Sequence, residues 1–145
     1  MIIIKSPREI DLMREAGKVV GLIWEKIPEI INPGVSTAEI NSAVERLMAE
    51  NGSVGAEKGY YGYPASVCVS VNEQILHGIP SPKVILRDGD IVTLDLVVLK
   101  NGYMADSART FAVGICGERQ KRMIAIAKQC FDNAISLVAP GVHLG

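Results

Sequence analysis

Ile91-Val92-Thr93-Leu94-Asp95-Leu96-Val97-Val98-Leu99-Lys100-Asn101-Gly102-Tyr103-Met104-Ala105-Asp106-Ser107-Ala108-Arg109-Thr110-Phe111-Ala112-Val113 is the stretch that decides the fold. Two runs rich in apolar and β-branched residues flank Asn101-Gly102, the strongest short-range hairpin signal, because a type I′ turn needs positive φ at both central residues. The first strand is expected over Ile91 to Leu99 and the second over Tyr103 to Val113. With a two-residue turn, Lys100 faces Tyr103, Asp95 faces Ala108 and Asp106 faces Val97. Facing residues share a face of the sheet, and so do residues two apart. Asp95 and Asp106 are therefore diagonal neighbours on one face, roughly 7–8 Å apart. A slip of one residue would send them to opposite faces.

A carboxylate within an apolar strand is costly to bury without a partner. Two that converge repel each other unless a proton or a cation lies between them. One cation bridged by both, or two cations about 3.5–4 Å apart, is the chemistry this pattern invites. The alternative is a pair of edge-strand surface charges with Arg109 as counter-ion.

The flanks of the hairpin carry helical patterns. Ser6-Pro7-Arg8-Glu9 is a capping box with proline at the first helical position. Ile10, Met13, Ala16, Val20, Ile23, Trp24 and Ile27 then recur at helical period. Asn32-Pro33-Gly34 makes a turn, and Ser36 or Thr37 caps a second helix that Asn51-Gly52 closes. Ser66 to Val71 reads as a further strand. A third helix runs from about Glu118 to Val138, with apolar positions at Met123, Ile126, Ala127, Cys130, Ala134 and Ile135. Helices around a strand-rich middle imply an α+β fold, a mainly antiparallel sheet with helices on one face. Ile31-Asn32-Pro33-Gly34-Val35 returns as Val138-Ala139-Pro140-Gly141-Val142, each copy after a helix. That is either a common helix terminator used twice or the opening of a second structural repeat.

Composition narrows the function classes. The chain has 145 residues, 48% of them hydrophobic, with 15 basic against 16 acidic side chains and a net charge of -1. That is globular composition with no basic excess for phosphates, so no nucleic-acid partner is expected. Cys68, Cys116 and Cys130 are odd in number and widely spaced, which fits a reducing cytoplasm better than a disulfide framework. The apolar start Met1-Ile2-Ile3-Ile4 stops at Lys5, too short for a signal peptide or a membrane span, so no membrane association is expected.

Two further groups stand out. His77 lies in Leu76-His77-Gly78-Ile79-Pro80, where glycine and proline fix a loop able to present a functional group or simply to pack. The other histidine, His143, looks incidental. Tyr60-Tyr61-Gly62-Tyr63-Pro64 holds three of the four tyrosines. They either pack under a loop or form a shallow apolar pocket wall, with Cys68 as a soft contact for an unbranched side chain.

Taken together and in order, four segments resemble the type I methionine aminopeptidase family. These are Gly59 to Cys68, Asn72-Glu73 with His77-Gly78-Ile79-Pro80, Asp88-Gly89-Asp90-Ile91-Val92 with Asp95, and Asn101-Gly102-Tyr103 with Asp106 to Phe111. The likeness runs from Ser6 to the chain end. It implies a pita-bread fold, two similar αβ halves about a dinuclear metal centre, and removal of the initiator methionine from nascent polypeptides. It also implies that residues 1–145 are the N-terminal half of the catalytic domain. By resemblance, Asp95 and Asp106 are the aspartate metal ligands, with Asp106 bridging. His77 contacts substrate and stabilises the transition state, and Tyr60, Tyr63 and Cys68 wall the methionine side-chain pocket.

The chain departs from the pattern at Met104-Ala105, where the family often has His-Gly or His-Ala. The family's remaining ligands, one His and two Glu, belong to its second half. Divalent ions (Co, Mn, Fe or Zn), two per complete site, are implied, with fewer and weaker expected on this chain. Two aspartates bring -2 against +4 from two ions, each of which wants four to six ligands. Little or no hydrolysis is expected from the chain by itself. Self-association or a complementary C-terminal half follows from the apolar surface such a half would expose. Two other readings remain. One is a catalytically inactive pita-bread-like binding module; the other is a prolidase-like peptidase, which usually carries an extra N-terminal domain.

Overall fold

The structure is a computed structural model that describes residues 3–143. The Met1-Ile2 part of the apolar start and the end of the chain at Leu144-Gly145 lie outside the described residues. Helix α1 (Pro7–Lys26) opens on the expected box: Ser6 accepts from the Glu9 amide, and the Glu9 carboxylate accepts from the Ser6 amide at 2.7 Å. A short 3-10 turn (Ile27–Glu29) carries it into the Pro33-Gly34 turn. Helix α2 (Thr37–Glu50) is capped by Ser36 rather than Thr37, again with a reciprocal box through Glu39. The Thr37 hydroxyl is engaged elsewhere, donating to the Ser81 carbonyl and accepting from its amide.

Four strands make one sheet: β1 (Val54–Gly55), β2 (Cys68–Val71), β3 (Ile91–Lys100) and β4 (Tyr103–Ala112). Strands β3 and β4 pair antiparallel along their whole length, with Lys100 opposite Tyr103, Asp95 opposite Ala108 and Val97 opposite Asp106. Asn101 and Gly102 both take positive φ, 53° and 80°, as the turn requires. The other edge of β3 is shared end to end. Strand β2 takes Val92 to Asp95, and β1 takes Val98 and Leu99.

Strand β1 is an element the residue pattern did not announce, being two residues long. Strand β2 begins at Cys68 and not at Ser66. The Ser66 amide is drawn to the Asn41 side chain and its hydroxyl to Glu45, which holds the chain in a bend before pairing starts.

Alternation along β3 separates the two faces. Val92, Leu94, Leu96 and Val98 are fully buried against α1 and α2, in a core with Ile23, Trp24, Ile40, Val44 and Met48. Each such side chain contributes about 1.5–3 kcal/mol by leaving water. Trp24 ties α1 to β4, donating its indole N–H to the Ser107 hydroxyl at 3.1 Å and packing on Phe111. Asp95, Val97 and Leu99 point to the opposite, half-buried face.

Helix α3 (Glu118–Ser136) follows β4 and differs from α1 and α2. None of its described residues is buried, and Met123, Ile126, Phe131 and Ile135 are each about half exposed or more. Its apolar periodicity, which the sequence shares with the other two helices, makes no core among the described residues. No helix among those residues is long and apolar enough to cross a membrane.

Candidate metal centre and side-chain pocket

The hairpin register places Asp95 and Asp106 on the open face of the sheet, on adjacent strands and diagonal to one another. Asp95 is half-buried and Asp106 is exposed. Burial first, and the Asp106 charge second, raise the Asp95 carboxyl above its ordinary pKa, while His77 pulls the other way. Arg109 is not their counter-ion. It lies opposite Leu94 on the helix-facing side, and its guanidinium stands 5.6 Å from the centroid of the Trp24 ring. The carboxylate pair therefore faces open space without that cation.

His77 reaches this face from the loop after β2. It is exposed and holds a left-handed φ of 56°, uncommon for a residue with a side chain. Gly78, next to it, lets the loop lie flat on β2. The Val69 amide donates to the Gly78 carbonyl at 2.8 Å, and the Gly78 amide donates to the Ser70 hydroxyl at 3.1 Å. A methyl on Gly78 would overlap the Val69 carbonyl oxygen. The Tyr63 hydroxyl clamps the same loop, donating to the Gly78 carbonyl at 2.9 Å. Burial pushes both the Tyr63 phenol and the neighbouring Cys68 thiol up, so both stay protonated at neutral pH.

Tyr60, Tyr63, Cys68, His77, Asp95 and Asp106 all line one open cavity of about 910 Å³. Tyr60 and Tyr61 meet edge to face, and Tyr61 is almost wholly exposed with a left-handed φ of 46°. Ile79, Val97 and Met104 complete an otherwise apolar wall. His143 has no part in it and is exposed near the chain end.

One residue of this cavity escaped the sequence reading. Glu57 follows β1 and is half-buried in the cavity wall. Its Oε1 accepts the Val97 amide at 2.6 Å, while Oε2 is enclosed without a hydrogen-bond partner. Burial above all, assisted by the charges of Asp95 and Asp106, pushes its carboxyl up to about 7. The sequence signal was no more than a glutamate beside Lys58, and Lys58 turns away to pair with Glu45 at 2.7 Å.

The aspartates are hard oxygen donors that converge on one side of a rigid hairpin, a donor set suited to a divalent cation. Among the described residues, however, no group of three or more His, Cys, Asp or Glu side chains is arranged to hold a metal ion. These residues fit part of a centre and not a closed one.

Comparison with known proteins matches the chain along nearly its whole length. The family model described as metallopeptidase family M24 matches residues 11–145. Methionine aminopeptidase 1 of Bacillus subtilis is 41% identical over 144 residues, 99% of this chain and 58% of that protein. The crystal structure of methionine aminopeptidase from Thermotoga maritima superposes with a TM-score of 0.97 at 35% identity, covering 100% of this chain and 58% of that one. The enzyme from Rickettsia prowazekii gives 0.96 at 32% identity, with the same coverage. The chain thus spans just over half the length of the relatives it matches, and its α+β architecture is that of the pita-bread fold.

Proposed function

The chain belongs to metallopeptidase family M24, and on that premise we propose that it supplies one half of a methionine aminopeptidase site. Residues 1–145 act as the N-terminal half of the catalytic domain. The observation that carries the reading is the convergence of Asp95, Asp106, His77, Tyr60, Tyr63 and Cys68 on a single cavity over the open face of the sheet.

Asp95 and Asp106 would hold divalent ions. Such ions would polarise the scissile carbonyl and make water more acidic. The chain's own residues do the rest of this half's work. His77 donates to or accepts from the substrate backbone from a loop pinned by Tyr63 and Ser70. Tyr60, Tyr63 and Cys68 receive the side chain of the first residue, and their apolar surfaces exclude water from it. A complementary half, continuous with this chain or separate, contributes the remaining ligands and balances the charge. Three free thiols, Cys68, Cys116 and Cys130, favour work in the reducing cytoplasm. The substrate is a nascent chain or peptide with N-terminal methionine.

Two measurements test this. Calorimetric titration of the 145-residue chain with Mn²⁺ is expected to show at most one weak site, lost in Asp106→Asn; two tight sites would overturn the half-site reading. Hydrolysis of Met-Ala-Ser is expected only when a segment matching the remainder of the relatives is co-expressed. No metal-dependent release of methionine by the complemented pair would overturn the activity.

A further inference from the structure

The open face of the sheet is not equally free at its two ends. Toward the Asn101-Gly102 turn it carries, row by row, Thr93 opposite Thr110, Asp95 opposite Ala108, Val97 opposite Asp106, and Leu99 opposite Met104. In the first row the two threonine hydroxyls bond to each other at 2.8 Å. The Gly78 loop lies beside that row, bonded to Val69 and to Ser70, the β2 partner of Thr93. The cavity ends before it: the wall includes Asp95 but neither Thr93 nor Thr110. In the other direction the wall continues past the carboxylates to Met104.

Met104 is the last side chain on this face of β4, because Gly102 has none. Ala105 alternates to the helix side and packs on the core, and the Tyr103 hydroxyl donates to Glu9, so neither covers it. Met104 is 53% exposed. It stands two residues, about 6.8 Å along the strand, from Asp106. Cys68 pairs with Asp95 at the other side of the carboxylates. A peptide with its first side chain against Tyr60, Tyr63 and Cys68, and its first carbonyl over the carboxylates, has one open way to continue, past Asp106. Successive Cα atoms are about 3.8 Å apart, which brings the second side chain within reach of the long Met104 side chain.

We propose that Met104 determines specificity for the second residue of the substrate, favouring a short apolar side chain such as that of valine over a polar one of the same shape such as that of threonine. This rests on the reading of the cavity as the site that receives N-terminal methionine. A thioether is unbranched, polarizable and no hydrogen-bond donor. With Val97 beside it, Met104 gives a hydroxyl no strong partner, and Asp106, the nearby acceptor, is the residue that would engage a divalent ion.

The test titrates the 145-residue chain, with Mg²⁺ present to occupy the carboxylates, against methionine amide, Met-Val amide and Met-Thr amide. NMR follows the Met104 methyl, assigned by its loss in Met104→Leu, together with Tyr63 and Cys68. Methionine amide should move Tyr63 and Cys68 alone, and Met-Val amide should move Met104 as well. An enclosed apolar pocket rejects a hydroxyl isostere roughly hundredfold, so a half-exposed contact, worth half that free energy, should favour Met-Val amide by about tenfold. Met104→Leu should keep the preference. Met104→Gln, unbranched and of the same length but polar, should bring it below about threefold. Both substitutions fall on exposed surface, and a merely structural effect would weaken the two dipeptides alike. A preference under about threefold in the parent chain overturns the proposal, and so does one that survives in Met104→Gln. Movement of Met104 by methionine amide overturns it too, by placing the residue in the first pocket. If Met-Val amide moves Tyr63 and Cys68 but not Met104, the Met104 assignment falls and the cavity reading stands. If no probe moves Tyr63 or Cys68, both fall.

Discussion

Replacing Glu57 by glutamine should change how stability depends on pH more than it changes stability itself. In the folded protein burial holds the Glu57 carboxyl at about 7 against an ordinary 4.5. The unfolded chain releases this proton at the lower value, so between the two the folded state carries the extra proton. Stability therefore falls as pH rises through that window, and the loss is complete above it. The full gap corresponds to a ceiling of about 3.4 kcal/mol. The side chain is only half-buried and solvent screens it, so about 1–1.5 kcal/mol is expected between about pH 5 and about pH 8. Urea unfolding in the presence of a chelator, followed by fluorescence of Trp24, the one tryptophan and a buried one, measures it directly.

The quantity to compare is the pH-induced change in wild type against the same change in Glu57→Gln. Any constant cost of seating an amide in this wall then cancels. Glu9, Glu39 and Glu45 are shifted the other way by their Ser6, Ser36 and Lys58 partners, and they are common to both proteins. Wild type should lose more stability on going to about pH 8 than the variant does. Equal changes, within about 0.5 kcal/mol, would refute the account of Glu57 as a desolvated carboxyl.

Ser36→Ala removes the acceptor for the Glu39 amide and should destabilise the protein by about 1 kcal/mol in the same unfolding assay; no change would mean that α2 does not depend on its cap. Gly78→Ala should dislodge the His77 loop while the hairpin persists, because the new methyl meets the Val69 carbonyl. Hydrogen exchange should then show lost protection at the Val69 amide and retained protection through β3 and β4, and an unchanged Val69 amide would contradict the close approach.

The residue pattern revealed those features whose cause is local. Ser6-Glu9 and Ser36-Glu39 are three apart and cap their own helices. Asn101-Gly102 fixes its turn by its own conformational freedom, and through it the register that brings Asp95 beside Asp106. What escaped depends on distant partners. Glu57 carries no signal in the residue pattern, because the Val97 amide that it accepts lies forty positions on. Arg109 looked like a neighbour of Asp106, but alternation along β4 turns it toward Trp24 instead. The apolar stripe of α3 has the same period as those of α1 and α2. Periodicity names a face and not what covers it, and here that face is exposed.

The hairpin also bears on the order in which this half-site can assemble. Asp95 and Asp106 meet across a turn of two residues, so their approach closes the shortest loop in the sheet and carries little entropic cost. Hairpins of this kind form in about 1–10 μs. Bringing Glu57 and Cys68 to the same strand requires closure over several times as much chain. Contact distance along the sequence thus divides the cavity into a fast carboxylate edge and a slower pocket wall. During synthesis, the pair that would meet a metal is also the pair that needs least of the chain to find each other.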